Sequence, residues 1–459
     1  MVKERARILV VGGGYVGMYT ALRLQRKLKG ELRRGEAEIT VVTPDPYMTY
    51  QPFLPEAAAG SISPRHVVVP LRRVLRECRV LVGEAESVDH AHRTVAVTTS
   101  ATAEKGTGPR SLPYDELVLA PGSVSRTLPV PGLAEHGIGF KNIEEAIGLR
   151  NHVIEQLDIA SSTRDPALRD AALTFVFVGG GYAGVEALGE LEDMARYATR
   201  YYPNVPAEDM KWILVEAADR ILPEVGAEMG RHTVTELRRR NIDVRLRTRL
   251  ESCADRVAVL SDGSRFPTRT VVWTAGVRPH PLLAATDLPR DAHGRLVCTA
   301  ELAVAGTTHA WAAGDAAAVP DTTSDAPGAL CAPNAQHALR QARVLGDNIA
   351  HSLRGEPLDT YARENAGAVA SLGLHRGVAQ VHGRRLKGYP AWLLHRAYHL
   401  SRVPTVNRKA RVLAEWTLAG LFKREIVSLG SLEHPRAEFE LAAGGNASPE
   451  PPGNPKGSS

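Results

Sequence analysis

An α/β fold with two parallel-sheet, dinucleotide-binding units is predicted from three observations. An apolar run at residues 8–11 leads into Gly12-Gly13-Gly14-Tyr15-Val16-Gly17. A second apolar run at 173–178 leads into Gly179-Gly180-Gly181-Tyr182-Ala183-Gly184. Strand-like and helix-like segments then alternate after each, as in parallel sheets with helical cover. Each copy reads as a buried strand, a tight glycine turn and a helix whose N-terminus faces a pyrophosphate. One G-x-G-x-x-G match is weak evidence, but two in the same context point strongly to a chain that holds two dinucleotides.

The elements follow in order. The first unit continues with a helix over 15–29 and a strand at 38–42. A proline-rich passage at 44–55 precedes a helix or loop ending near Cys78. Residues 95–99 and 117–119 read as strands, with 101–110 a polar turn between them. The second unit reaches its second strand at 212–215. Strands at 270–273 and 310–312 follow, then a helix from about 333 to 354. At 459 residues the chain exceeds a single core, so two or three domains are expected.

Composition excludes several classes. Cys78, Cys253, Cys298 and Cys331 are the only cysteines and none form a Cys-x-x-Cys pair. A disulfide scaffold, a cysteine-rich metal site and a redox dithiol of that kind are not expected. Residues 1–7 are charged and carry no secretory pattern, which fits a reducing cytoplasmic setting. The net charge is +5, yet residues 371–436 hold twelve Lys or Arg against three acids, so the basic character belongs to this C-terminal segment. Residues 444–459 read as a disordered Gly/Pro/Ser tail.

The two copies differ in the residue that ends the next strand. After the second, Glu216 is placed to bind both ribose hydroxyls and to repel a 2′-phosphate, favouring NADH over NADPH. After the first, the strand ends at uncharged Thr43; either Asp45 substitutes or the ribose is held differently. Two further strand-to-turn phrases stand out: Leu117-Val118-Leu119-Ala120-Pro121-Gly122 and Trp311-Ala312-Ala313-Gly314-Asp315.

With paired cradles, an Ala-Pro-Gly turn and an Ala-Ala-Gly-Asp strand, the chain resembles the two-dinucleotide-domain flavoprotein oxidoreductases. The resemblance implies non-covalent FAD held by Gly12, Gly14, Gly17 and Asp315, the last on the ribityl chain. It implies a nicotinamide dinucleotide held by Gly179, Gly181, Gly184 and Glu216. The segment Ala332-Pro333-Asn334-Ala335-Gln336-His337-Ala338-Leu339-Arg340-Gln341 is similar to the glutamine motif of type II NADH dehydrogenases, the single-subunit NADH:quinone oxidoreductases. The phrases Tyr50-Gln51-Pro52-Phe53-Leu54-Pro55, Gly184-Val185-Glu186 and Trp273-Thr274-Ala275-Gly276-Val277-Arg278-Pro279 point the same way. By this resemblance Glu186, Gln336 and Gln341 are the catalytic candidates, and Pro52, Ala120, Gly122, Ala335 and Gly276 join the cofactor-binding set. One departure is Asn365-Ala366-Gly367, where many members carry Lys-Gly.

The implied organisation is an FAD domain (1–135 and 296–360) with an inserted NAD domain (136–295). A C-terminal α+β or helical membrane-associating region (361–443) and the tail complete it. In that region Leu393, Ala397 and Leu400 share one helical face while His395, His399 and Arg402 share another; Val412, Trp416 and Ala419 repeat the spacing. Neither stretch has the ~20 apolar residues of a membrane span. Two uses remain open: lying on an anionic membrane, or forming a homodimer interface. Nothing resembles a nucleic-acid recognition fold. The expected activity is electron transfer from NADH through FAD to a quinone, without proton pumping, at the cytoplasmic face of the membrane. The alternatives are a soluble NADH-dependent reductase of an electron-carrier protein and a non-enzymatic redox-sensing flavoprotein.

Overall fold

Each glycine turn sits at the end of a central strand in one of two five-stranded sheets. The first sheet, all parallel, has the order Ala310–Ala312, Glu116–Leu119, Ala6–Val11, Ala37–Thr43, Arg79–Val82. The second, also parallel, has the order Gly137–Gly139, Thr270–Trp273, Thr174–Val178, Lys211–Val215, Ile242–Arg245. The chain of the second sheet lies wholly between Glu116–Leu119 and Ala310–Ala312, so it is inserted within the first. The apolar parts of both central strands, Ile8 to Val11 and Phe175 to Val178, are buried, as strands covered by helices on two faces must be. This computed structural model describes residues 5–362, 367–381, 383–422 and 426–428. The expected tail at 444–459 and the Asn365-Ala366 departure lie outside the described residues.

Both turns are made by the same close approach of backbone to backbone. Gly12 has φ +110° and Gly179 φ +114°, a region open to glycine and strained for other residues. A Cβ on Gly17 would stand 1.8 Å from the Gly12 carbonyl oxygen, and one on Gly184 2.0 Å from that of Gly179. Each helix therefore rests directly on the turn that precedes it. The helix Tyr15–Lys27 then packs along Ala335–Arg354, where the Thr20 hydroxyl donates to the Ala342 carbonyl at 3.2 Å and Arg23 and Lys27 both pair with Asp347.

One sequence expectation is corrected. Residues 101–110 are not a polar turn: Ser100–Lys105 is a short helix, and Arg110–Pro113 is the third strand of an antiparallel sheet with Glu84–Asp89 and Thr94–Thr98. Thr99 and Thr102 cap the helix reciprocally, and Gly106 ends it at φ +62°. All six helical residues are solvent-facing to some degree, so no apolar period marks them.

The C-terminal region is a three-stranded antiparallel sheet (Gly367–Ser371, Gly377–Val381, Arg384–Lys387) and two helices, Tyr389–Arg402 and Val406–Phe422. Glu56, on the short helix Leu54–Ala58, fixes both helices to the first unit. Its carboxylate accepts from Arg396 at 3.0 Å and from the Trp416 indole at 2.6 Å. The Arg396 guanidinium lies between Trp392 and Trp416, 4.2 and 4.7 Å from the ring centres. The apolar spacing in the last helix reads differently in three dimensions. Val412 is buried and Trp416 is turned to Glu56, whereas Leu413, Leu418, Leu421 and Phe422 are exposed. In the preceding helix Leu393 is exposed and His395 is buried.

Gly17→Ala should displace the first cradle helix, because a backbone oxygen cannot yield as a flexible side chain can. Overpacking of this kind costs about 1–3 kcal/mol or more. Thermal melts should show Gly17→Ala clearly below wild type, whereas Gly148→Ala, whose added carbon meets nothing within 4 Å, should match or exceed it.

Candidate active site

The first cradle gathers residues far apart in sequence. A Cβ on Gly12 would lie 2.1 Å from the Ala120 carbonyl oxygen, so the Ala-Pro-Gly turn closes over the glycine turn. Gly314 packs against Val16 and Ala338, which sets the Gly314–Asp315 turn between the cradle helix and the helix beginning at Ala335. Gln341 is buried, and its amide oxygen accepts from Gly314 N at 2.8 Å. It shapes this turn from behind.

Asp315 Oδ2 accepts from Ser123 Oγ at 2.6 Å, and Lys141 Nζ donates to the same hydroxyl at 2.6 Å. Burial pushes the Lys141 ammonium below its usual range, against the pull of Asp315 and Glu145. Gln51 donates to the Lys141 carbonyl at 3.2 Å, bringing the Gln51-Pro52 turn to the same edge.

The register of the two sheets settles which residues correspond. Val11 pairs with Val42 and Val178 with Val215, so Thr43 and Glu216 occupy the same place beside their cradles. Gly13 faces Thr43 Oγ1 and Gly180 faces Glu216 Oε2. Glu216 is locked: Oε2 accepts from Gly180 N at 2.5 Å and Oε1 from Ala218 N at 2.7 Å. Asp45 is exposed two residues farther on, and no bond joins it to the cradle. Thr274 Oγ1 donates to the Val178 and Gly179 carbonyls at 3.0 and 3.2 Å, and places Gly276, at φ +93° with open space around it, beside the second turn.

The cradles suit the anionic dinucleotides that the motifs imply. Neither Gly14 nor Gly181 caps its helix through a side chain, and a Cβ on either would meet nothing within 4 Å. Unpaired helix N–H groups thus face open room, where a pyrophosphate fits.

Glu186, in the second cradle helix Tyr182–Ala198, is buried. Its Oε1 accepts from Ser371 N at 2.8 Å and lies 3.1 Å from His395 Nε2. Gln336 Nε2 donates to the Gly367 carbonyl at 3.0 Å, while its Oε1 is buried and has no partner among the described residues. The strand Gly367–Ser371 is therefore held at one end by Gln336 and at the other by Glu186, about 13 Å apart at ~3.3 Å per residue. Burial is the largest single influence on His395 and opposes its charge, but Glu186, Glu56 and Glu190 together overcome it and the imidazole pKa is raised. Cys331 lies against Gln341, whereas Cys78, Cys253 and Cys298 have no contact with these side chains among the described residues. Burial pushes Cys78 and Cys298 to about 12 and Cys331 to about 11, and Cys331 donates to the Pro320 carbonyl. Such thiols are poor nucleophiles.

A family model described as pyridine nucleotide-disulphide oxidoreductase matches residues 4–342. The chain belongs to this family. A probable NADH dehydrogenase from Dictyostelium discoideum is 28% identical over 434 residues, covering 93% of this chain and 92% of that relative. A type II NADH:quinone oxidoreductase from Staphylococcus aureus is 29% identical over 396 residues, covering 85% and 93%. In three dimensions the chain is similar to NDH2 from Plasmodium falciparum in complex with NADH, with a TM-score of 0.83 at 16% identity, over 92% of this chain and 100% of that one. It is also similar to a sulfide:quinone oxidoreductase from Aquifex aeolicus, with a TM-score of 0.69 at 18% identity, over 92% and 96%. At these identities the structural matches establish the fold.

Sequence reasoning did not bring Ser123, Lys141 or His395 together with Asp315 and Glu186. His395 and His399 were visible as one face of a helix, and two histidines four apart with no acid among them were the available signal. Lys141 and Ser123 gave none, since their meeting with Asp315 depends on strands joined across the inserted sheet.

His395's raised pKa fixes a sign. Its pairing with Glu186 stabilises the fold fully below the pKa of an unfolded histidine, about 6.5, and that contribution is lost as pH rises through the higher folded value. Glu186→Gln should therefore lower Tm most below about pH 6.5, with the deficit shrinking as pH rises. Melts of both proteins across this range check it; a deficit that grows with pH contradicts the pairing.

Proposed function

We propose that this chain oxidises NADH and delivers the electron pair through FAD to a membrane quinone without pumping protons. The observation that carries this reading is the pair of open, uncapped cradles, with Gln336 and Glu186 gripping the two ends of the strand Gly367–Ser371 and the nearby Cys331 thiol held protonated by burial. The near full-length similarity to proteins named NADH dehydrogenase and type II NADH:quinone oxidoreductase supports it. Bound FAD would supply the two-electron relay, taking hydride from the nicotinamide and reducing the quinone.

The chain's own residues do the rest. Gly12, Gly14 and Gly17, with Pro52, Ala120, Gly122 and Ala335 around them, would bind FAD. Asp315 would hold the ribityl hydroxyls, oriented by Ser123 and Lys141. Gly179, Gly181, Gly184 and Gly276 would admit NADH, with Glu216 on its ribose. Gln336, its amide oxygen unpartnered, would orient the quinone, and Glu186 would hold a proton near it. Gln341 would act through the Gly314–Asp315 turn. The FAD unit would comprise residues 1–135 and 296–360, the NAD unit 136–295 and the acceptor-side region 361–443.

No described helix is long and apolar enough to cross a membrane. Exposed Leu393, Leu413, Leu418, Leu421 and Phe422, alongside exposed Arg402 and Arg411, support peripheral attachment to an anionic surface. That attachment, at the cytoplasmic face and as a homodimer, completes the proposal.

Two experiments test it. Purified protein should be yellow, bleach anaerobically with NADH and recolour on adding a soluble quinone. Recolouring only with a carrier protein would replace the quinone reading with that of a soluble reductase. Glu216→Ala should raise the NADPH:NADH ratio of kcat/KM by at least about tenfold, since the repelling carboxylate is gone; an unchanged ratio would remove Glu216 from the ribose site.

A further inference from the structure

The helix Tyr389–Arg402 carries two histidines whose rings meet inside the protein, a feature the functions assigned above leave unused. The rings of His395 and His399 stand edge to face, 4.5 Å between centres. His395 is 2% exposed; neither ring nitrogen makes a well-aligned hydrogen bond among the described residues, though Nε2 lies within ion-pair distance of Glu186 Oε1, at 3.1 Å. His399, one turn nearer the helix end, is half-buried, and its Nδ1 is 3.2 Å from the Tyr50 hydroxyl. The same hydroxyl reaches the His399 carbonyl at 3.4 Å, so Tyr50 fixes both ring and backbone.

We propose that His399 and His395 form a two-step proton relay from solvent to the quinone site, with Tyr50 as the positioning residue for the outer imidazole. The proposal rests on the quinone reading above. Reduction of a quinone by NADH consumes one proton beyond the hydride: NADH + H⁺ + quinone gives NAD⁺ + quinol. The hydride supplies both electrons and one hydrogen, and the second hydrogen must arrive as a proton. The relay supplies it: His399 takes a proton from solvent and passes it to His395. His395 holds it against Glu186 until a quinone oxygen accepts it. No hydrogen bond joins the two rings directly, so the proton passes between them through one bridging water.

The charges around the pair set the direction. His395 is faced by Glu186 and Glu190 from the second cradle helix, by Glu56 from Leu54–Ala58 and by His399 from its own helix. His399 is faced by His395, and by Tyr50 across the helix interface; Tyr19, Tyr398 and Arg402 surround Tyr50 in turn. The acids lie at the inner histidine, so a proton is held there. Burial and repulsion from His395 hold the outer ring well below the usual histidine range.

Stopped-flow measurement of the two half-reactions of the FAD-loaded protein tests this. In His399→Ala, NADH should bleach the flavin as in wild type, while reoxidation by a soluble quinone should slow at least about tenfold. The slowing should be steepest at alkaline pH, and added imidazole should restore the rate in proportion to its concentration. Tyr50→Phe should show a smaller slowing with a shifted pH profile. By histidine NMR, His395→Gln should raise the pKa of His399, because a neighbouring charge is removed. Reoxidation of His399→Ala at the wild-type rate overturns the relay. So does a loss in both half-reactions that imidazole fails to repair, or a His399 titration indifferent to His395→Gln. A wild-type protein that NADH bleaches and quinone does not recolour overturns the quinone reading, and the relay with it.

Discussion

Backbone contact at the two glycine turns is the constraint from which the rest of the molecule follows. Because the oxygens of Gly12 and Gly179 lie against Gly17 and Gly184, each cradle helix starts at one height above its sheet. That height decides where the free N–H groups point and how far Glu186, on the first turns of the second helix, sits from its cradle. It also sets the floor on which Ala335–Arg354 packs, and through Gln341 the position of the Gly314–Asp315 turn. A side chain at either contact would shift every one of these groups together.

The C-terminal side depends on a different balance. Five acids of the second unit and its neighbour, Glu56, Glu186, Glu190, Glu192 and Asp193, are withdrawn from bulk water. Each has a partner: Arg396 for Glu56, His395 for Glu186, the Ser371 hydroxyl for Glu190, and Arg240 for Glu192 and Asp193. Burial raises the pKa of Asp193 even so, against the attraction of Arg240. Much of the compensation comes from the C-terminal strands and helices, so the electrostatics of the second cradle helix are completed by a region that contains neither cradle. Removing one partner of such a pair is costly because the other charge is left stranded.

The cradles were legible because their physics is local. A φ near +110° at Gly12 and Gly179, and an apolar strand before each, leave a signature within about ten residues. Glu216 was legible for the same reason, and the pairing of Val178 with Val215 placed it where the strand pattern had put it. The pairing of Val11 with Val42 likewise explains Thr43 as its counterpart, which the sequence could only pose as a question. The helix Ser100–Lys105 was missed because an exposed, threonine-capped turn has no apolar period. The inward and outward faces of the last two helices were ambiguous for a related reason: Trp416 and Leu418 are equally apolar in sequence. Only the long-range bond to Glu56 decides which one is buried.

The Glu56 bond also bears on how such an enzyme can diversify. Arg396 and Trp416 close over a carboxylate that belongs to the nucleotide-binding half, and neither half satisfies its buried charge alone. The C-terminal region is thus not an interchangeable cassette. A lineage adapting to a new oxidant would have to alter residues around the shared carboxylate in concert, or retain both tryptophans and vary only the outward row of leucines.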